Sequence, residues 1–114
     1  MNYAGTHLLL DLLGAQNLSD VDAIRRTLFN ASQAIGATVL DVQTHVFEPQ
    51  GGVSGVALLA ESHMSIHTWP ETGYAAVDIF VCGKLDPTKA VDVLKEAFHP
   101  TSIQCVEVKR GLIV

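Results

Sequence analysis

Residues 53–82 read VSGVALLAESHMSIHTWPETGYAAVDIFVC, and their pattern is that of strands joined by short turns. Residues 53–60 and 74–82 are apolar runs with the length and composition of strands. We expect another strand over part of 62–69, because the Trp-Pro-Glu-Thr-Gly turn separates this segment from the next apolar run. Links this short favour antiparallel pairing, so the stretch predicts an antiparallel sheet.

The chain before this stretch predicts a strand, a helix and a strand. Residues 5–14 form a short apolar run that suits a strand, although a helix is the alternative because leucine is no strong strand former. Ser19 and Gly36 are a candidate N-cap and a candidate end for the next segment, a helix. Residues 37–47 are rich in β-branched side chains, and the Pro-Gln-Gly-Gly turn after them predicts a hairpin with 53–60. The predicted helix is amphipathic, since apolar residues recur every three or four positions: Val21, Ile24, Leu28, Ala31 and Ile35.

The chain after the stretch predicts a second helix and a last strand. Asp86 and Pro87 provide an N-cap and a first-turn proline, Pro100 ends the helix, and residues 101–110 alternate as a strand. The order β-α-β-β-β-β-α-β predicts an α+β fold, a two-layer sandwich with two helices packed on one face of a mostly antiparallel sheet. The second helix has an apolar stripe: Ala90, Val91, Val93, Leu94, Ala97 and Phe98.

Length and charge narrow the classes of function. We expect residues 1–114 to form a single domain, with one site or a site shared between copies. A formal net charge of −5 without a run of lysine or arginine argues against a nucleic-acid partner and favours cationic small molecules. Only 17% of the residues are charged, against roughly 25% in an average soluble domain, so we expect a second subunit to cover apolar surface.

The N-terminus and the cysteines carry no targeting or scaffold signal. The apolar part of residues 1–14 is interrupted by Asp11 and lacks a basic leader, so we expect no signal peptide, no membrane span and a cytoplasmic location. Cys82 and Cys105 have no CxxC partner, which argues against a disulfide scaffold and a cysteine zinc site. On residue type alone, each is expected to be an ordinary buried thiol.

The segment ESHMSIH, residues 61–67, concentrates ionisable and hydroxyl side chains. On a strand, the Cα atoms of His63 and His67 would lie about 13 Å apart, which is too far for one zinc ion, so no metal site is expected. Ser62 or Ser65 with His67 suggests a hydrolase, but the chain lacks a GxSxG motif and an evident oxyanion loop. The alternative without chemistry is that these side chains are hydrogen-bonded members of a sheet face.

Residues 52–83, GVSGVALLAESHMSIHTWPETGYAAVDIFVCG, closely resemble the core of the small prokaryotic S-adenosylmethionine decarboxylases. GTHLLLDL near the start, HVF after the ATV segment and VKRGL near the end match the same family. The resemblance covers nearly the whole chain, and the ESH-x-SIHTWPE block is highly specific. It implies a proenzyme that cuts itself before Ser62, giving a β chain of residues 1–61 and an α chain of residues 62–114.

The resemblance also implies roles in self-cleavage. The Ser62 hydroxyl attacks the carbonyl of Glu61 at a strained backbone, and elimination and loss of ammonia then convert Ser62 into a pyruvoyl group. His67 assists processing by removing the Ser62 α-proton, and Ser54 hydrogen-bonds the developing oxyanion. Because Ser62 and His67 are an odd number of positions apart, a regular strand would point them to opposite faces. This interpretation therefore predicts a bend or bulge between them.

In the cleaved protein, the family resemblance implies that the pyruvoyl group forms a Schiff base with the substrate amine. This group replaces pyridoxal phosphate, and no metal is implied. Cys82 is the implied proton donor to the decarboxylated carbon. Glu71 and Phe47 belong to the implied substrate site, Glu71 facing the ribose hydroxyls and Phe47 stacking on adenine. Residue type alone predicts a solvated carboxylate and a core aromatic instead.

The substrate implied is S-adenosylmethionine, a small cationic amino-acid-type molecule, decarboxylated for polyamine (spermidine) synthesis by a homodimer of cleaved protomers. HVFEPQGGVSG, residues 45–55, is one residue longer than the commonest family pattern, beside the implied adenine position. A pyruvoyl-dependent ornithine or arginine decarboxylase of the same family is therefore the first alternative, because these substrates share an α-amino acid group. The second alternative is a homologue that is neither cleaved nor catalytic.

Overall fold

A computed structural model describes residues 2–113 of the chain. Short 3₁₀ turns lie at Pro70–Thr72 and Pro87–Ala90. The order of the longer elements is the one that the sequence predicts. They are β1 (Asn2–Leu13), α1 (Val21–Ile35), β2 (Val39–Phe47), β3 (Gly52–Leu59), β4 (Ser62–Trp69), β5 (Tyr74–Cys82), α2 (Val91–Phe98) and β6 (Ser102–Ile113).

The six strands form one sheet in the order β2-β3-β4-β5-β1-β6. Every neighbouring pair is antiparallel. Short turns join β2 to β3, β3 to β4 and β4 to β5, whereas α1 and α2 make the longer crossings to β2 and β6. Because both helices pack on one face, the predicted α+β sandwich is confirmed.

Aspartate caps begin both helical segments. Asp20 caps α1, because its carboxylate accepts a hydrogen bond from the backbone N–H of Ala23 at 3.0 Å. The prediction of Ser19 as the cap is wrong by one residue, because Ser19 lies one position too early to accept from that N–H. Asp86 caps the second segment as predicted, although its first turn is 3₁₀. No helix among residues 2–113 is long and apolar enough to cross a lipid bilayer.

The core lies between the two helices and one face of the sheet. The strands send alternate side chains into this core, and α1 contributes one stripe. As a consequence, the intervening residues of β4 and β5 point away from the helices. The largest fully buried side chains are Phe98, Leu8, Leu12, Ile24, Leu28, Leu59, Met64, Ile66, Ile79, Leu94, Val53 and Val81.

The other face of the sheet, which we call the open face, carries neither helix. It includes His63, Ser65 and His67 from β4 and Asp78 and Cys82 from β5. Of the ten large hydrophobic side chains that are exposed in the described chain, eight belong to the open face: Leu9, Phe47, Val56, Leu58, Trp69, Val106, Val108 and Leu112. So many exposed apolar side chains on one face are typical of a face that another molecule covers.

Candidate active site

A two-residue turn, Ala60-Glu61, joins β3 to β4 at the position of the expected cleavage. Leu59 and Ser62 pair on either side of it, and Glu61 has a φ of 63°. In a residue with a side chain this left-handed conformation costs roughly 1–2 kcal/mol, and turns usually place glycine or asparagine there. The strained backbone that the family resemblance implies at Glu61-Ser62 is therefore present.

The hydroxyl of Ser62 is buried without a hydrogen-bond partner. The residue is 8% exposed, and its side chain lies on the helix-facing side of β4 with Met64 and Ile66. Within the described chain, Ser62 Oγ is the one buried side-chain nitrogen or oxygen without a hydrogen bond. Leaving a buried hydroxyl unpaired is costly, so this atom calls for an explanation other than stability. An unpaired nucleophile beside a strained peptide bond fits a residue that is later converted chemically.

Ser54 and His67 form a hydrogen-bonded pair at the other end of β4. The two residues are direct partners across β3 and β4, and Ser54 Oγ lies 2.8 Å from His67 Nδ1. Both side chains belong to the open face. A hollow of about 300 Å³ adjoins the pair and is also lined by Phe47, Trp69 and Glu71. Four of the residues that the family resemblance singles out therefore meet in one place.

Phe47 is more accessible than residue type suggests, whereas Glu71 is as exposed as residue type predicts. Phe47 is 53% exposed at the end of β2, which is an edge strand, so the expectation of a core aromatic is wrong. Glu71 is exposed in the 3₁₀ turn that follows Trp69, and the Trp69 ring stacks on Tyr74 with 5.1 Å between centroids. The hollow thus has aromatic surfaces and a free carboxylate, which are groups that can hold a nucleoside.

Ser62 and His67 do not meet within one chain. β4 pairs without a register shift with β3 from Ser62 to His67 and with β5 from His63 onward. The predicted bend or bulge between Ser62 and His67 is therefore wrong, because ladders on both sides hold the strand regular. Five residues at about 3.3 Å each put the two Cα atoms about 16 Å apart, and the side chains point to opposite faces.

The two cysteines differ in their surroundings. Cys82 lies on the open face at the end of β5 nearest the Ala60-Glu61 turn, where it pairs with Gly5 and is partly buried. It is two residues beyond Phe80, the partner of His63. Cys105 is exposed, so the expectation of a buried thiol is wrong there, because β6 is an edge strand.

Asp78 gathers a polar cluster that the sequence does not predict. Its Oδ2 accepts hydrogen bonds from Nε2 of His7 at 2.6 Å and from Nε2 of His63 at 3.2 Å. Ser65 donates to its Oδ1, and Arg110 donates to Nδ1 of His7 at 3.1 Å. Burial alone would raise the pKa of Asp78, but these hydrogen bonds outweigh it and hold the pKa below its ordinary value.

The cluster also has the composition of a metal site. Ligand atoms of His7, His63 and Asp78 all lie within 4.8 Å of one another. An arginine only donates, however, so the contact with Arg110 requires a lone pair on Nδ1 of His7 and hence a hydrogen on its Nε2. That hydrogen points to Asp78 and leaves the nitrogen no lone pair for a cation. The geometry favours a proton network over a metal centre.

The chain is similar along its whole length to known decarboxylases. The family model described as S-adenosylmethionine decarboxylase matches residues 6–111. The S-adenosylmethionine decarboxylase proenzyme of Thermomicrobium roseum is 46% identical, over 100% of this chain and 99% of its own. That of Bacillus velezensis is 42% identical, over 98% of this chain and 90% of its own. The crystal structure of the adenosylmethionine decarboxylase from Aquifex aeolicus covers 100% of this chain and 96% of that one, with a TM-score of 0.87 and 35% identity.

Proposed function

Because the chain belongs to the S-adenosylmethionine decarboxylase family, we propose that it is a proenzyme that cuts its own Glu61-Ser62 bond and then decarboxylates S-adenosylmethionine. The observation that carries this proposal is the buried, unpaired hydroxyl of Ser62 beside the left-handed Glu61. A hydroxyl without a hydrogen-bond partner is free to attack, and cutting the turn relieves its strain.

Self-cleavage uses groups that the chain supplies and one water molecule. Ser62 Oγ attacks the carbonyl carbon of Glu61, and the amide nitrogen leaves as the amino group of residue 62, so that an ester replaces the peptide bond. Removal of the Ser62 α-proton expels the Glu61 carboxylate, and water then displaces ammonia to leave a ketone. His67 is the proposed base for the α-proton, and Ser54 is the proposed donor to the oxyanion. The products are residues 1–61 and 62–114.

A second copy of the chain would bring His67 to the cleavage turn. In such a dimer the two open faces would pack against each other about 10 Å apart, and a two-fold axis perpendicular to the strands would relate the copies. The His67 end of β4 in one copy would then lie over the β3–β4 turn of the other. The apolar surface of the open face supports such packing, and Glu61 is exposed at the turn. We therefore propose a homodimer in which each site uses both copies.

The pyruvoyl ketone at residue 62 supplies an electrophilic carbonyl that condenses with the substrate amine and accepts the electron pair released with carbon dioxide. The remaining tasks fall to side chains of the open face and of the turn beside it. Phe47 would stack on adenine, and Glu71 would accept hydrogen bonds from the ribose hydroxyls in the hollow beside His67. Cys82, at the cleavage end, would donate the proton that replaces the carboxylate.

The charge of the chain agrees with this substrate. A formal net charge of −5 favours the approach of a sulfonium cation. The product, decarboxylated S-adenosylmethionine, is a donor of aminopropyl groups, so the proposed role of the reaction is to supply polyamine (spermidine) synthesis. Neither a metal nor pyridoxal phosphate has a step in this scheme.

Release of labelled carbon dioxide tests the substrate. Fully cleaved protein is incubated in parallel with carboxyl-labelled S-adenosylmethionine, ornithine and arginine, and we expect release from S-adenosylmethionine alone. The Ser62→Ala variant is the control and should release none. Release from ornithine or arginine instead would replace the proposed substrate with one of the alternatives. No release from any of the three would overturn the decarboxylase proposal.

A further inference from the structure

One ring nitrogen in the Asp78 cluster has no partner. A carboxylate at this site only accepts, so Nε2 of His63, 3.2 Å from Asp78 Oδ2, carries its hydrogen toward Asp78. The lone pair of a neutral His63 is then on Nδ1, and no hydrogen bond to that atom is present in the described chain. In the single chain the His63 side chain is 38% exposed.

His63 lies between the carboxylate and the thiol of Cys82. Its direct partner on β5 is Phe80, and the residues that flank Phe80 on the same face are Asp78 and Cys82. Diagonal neighbours across two strands lie about 7–8 Å apart, a gap that a long side chain or one bridging water can close. His63 also directly follows Ser62 in the sequence, so it lies at the same end of β4 as the residue that the proposed function converts into a ketone, although the two side chains point to opposite faces.

Two further histidines of the open face, on β1 and β4, are less suited to serve Cys82. His7 also pairs with Phe80, but both of its ring nitrogens are engaged, one by Arg110 and one by Asp78. His67 lies four residues further along β4, with its Nδ1 bound to the Ser54 hydroxyl. His63 is thus the imidazole of β1, β4 and β5 that combines proximity to the thiol with a free nitrogen.

We propose that His63, held by Asp78, returns a proton to Cys82 after each turnover. The inference rests on the proposed function, in which the S–H bond of Cys82 breaks, its proton forms the new C–H bond of the product and a thiolate remains. Nδ1 of His63 takes a proton from a solvent water molecule, which leaves as hydroxide, and Asp78 stabilises the resulting imidazolium. The N–H bond then breaks as the S–H bond re-forms, so one proton enters for each carbon dioxide released. Asp78 is a positioning residue, since it acts through His63.

Alkylation of Cys82 by iodoacetamide tests this contact without relying on decarboxylation. In a Cys105→Ser background, Cys82 is the remaining thiol. Adding His63→Gln should slow alkylation at pH 7 at least threefold, because the same imidazole that returns the proton also accepts it from the thiol. Asp78→Asn should slow it as well. His45→Gln removes an imidazole from the open face on β2 and should leave the rate unchanged. An unchanged rate in His63→Gln would overturn the proposal.

Turnover and chemical rescue provide the second measurement. In cleaved protein, His63→Ala should lower kcat at least tenfold with KM unchanged, and added imidazole should restore part of the loss. A merely structural role of His63 would not respond to imidazole, and an unchanged kcat would contradict the relay. Alkylation can be measured in cut and uncut protein alike. The alkylation rates therefore test the proposal even if the protein fails to cleave itself or to release carbon dioxide.

Discussion

Ser62 and His67 lie on the same strand with their Cα atoms about 16 Å apart, and their side chains point to opposite faces of the sheet. Cys82 belongs to the Ser62 end, whereas Ser54 and the hollow that contains Phe47 belong to the His67 end. The residues of the proposed site are therefore divided between the two ends of β4 in one chain. If the reaction uses both groups of residues, as proposed, we expect it to need two copies of the chain.

Co-expression of two defective chains tests this arrangement. Alone, Ser62→Ala lacks the nucleophile and should stay whole, and His67→Ala lacks the base and should cut at least about a hundredfold more slowly. In mixed dimers the His67→Ala chain keeps its own Ser62 and receives His67 from its partner, so we expect its cleavage to recover. The masses of the two chains, distinguished by a tag, give the result. If the His67→Ala chain stays whole in verified mixed dimers, His67 does not act between copies.

The left-handed conformation of Glu61 predicts that glycine at this position stabilises the uncut chain. In a Ser62→Ala background, which cannot cut itself, Glu61→Gly should increase the free energy of unfolding by about 1 kcal/mol. With Ser62 present, the same change should slow cleavage by up to about fivefold, because less strain is released. Urea unfolding and the time course of cleavage are the measurements. Glu61→Gln keeps the Cβ atom and is the control, and equal stability of the two variants would show that the turn is unstrained.

The lowered pKa of Asp78 predicts that its stabilising effect depends on pH. Such a carboxyl stabilises the fold fully above its unfolded pKa of about 3.9, and the contribution is lost as the pH falls through the lower folded value. In the Ser62→Ala background, Asp78→Asn should therefore reduce the free energy of unfolding more at pH 6 than at pH 3. Urea unfolding of both proteins at pH 6 and at pH 3 measures the loss in the free energy of unfolding at each pH. An equal loss at the two pH values would contradict the assigned hydrogen bonds.

Glu71 is predicted to bind the substrate and to take no part in cleavage. Glu71→Gln should raise the KM for S-adenosylmethionine about tenfold, because an amide accepts hydrogen bonds from ribose hydroxyls more weakly than a carboxylate does. The extent of cleavage should equal that of the wild-type chain. Glu96→Gln changes an exposed carboxylate on α2 and serves as the matched control. A KM that is the same in both variants would remove Glu71 from the site.

The element order could be predicted because its signals are local. Apolar runs, the Asp86 cap and the turn before Tyr74 each act over a few residues, and β5 begins and ends where the sequence places it. The strand order could not be read in the same way. β1 inserts between β5 and β6, and this pairing joins residues such as His7 and Asp78 that are 71 positions apart.

The site was harder to predict for the same reason. Ser62 and His67 are an odd number of positions apart, which already indicates that their side chains point to opposite faces of the strand. A bulge between them would be needed only if one chain contained the whole site. The regular pairing of β4 with β3 and β5 shows no such bulge and keeps the two residues apart. The role of Asp78 as an anchor depends on three strands that the sequence does not align. A single carboxylate within the apolar run 74–82 is the one local signal that could have marked it.

The intact mass of freshly purified wild-type protein under denaturing conditions tests self-cleavage most directly. We expect two fragments, residues 1–61 and 62–114, the second lacking a free amino terminus and reducible by borohydride. Ser62→Ala should remain one chain. A correctly folded wild-type protein that stays whole after prolonged incubation would contradict cleavage at Glu61-Ser62 and, with it, the proposed decarboxylase function.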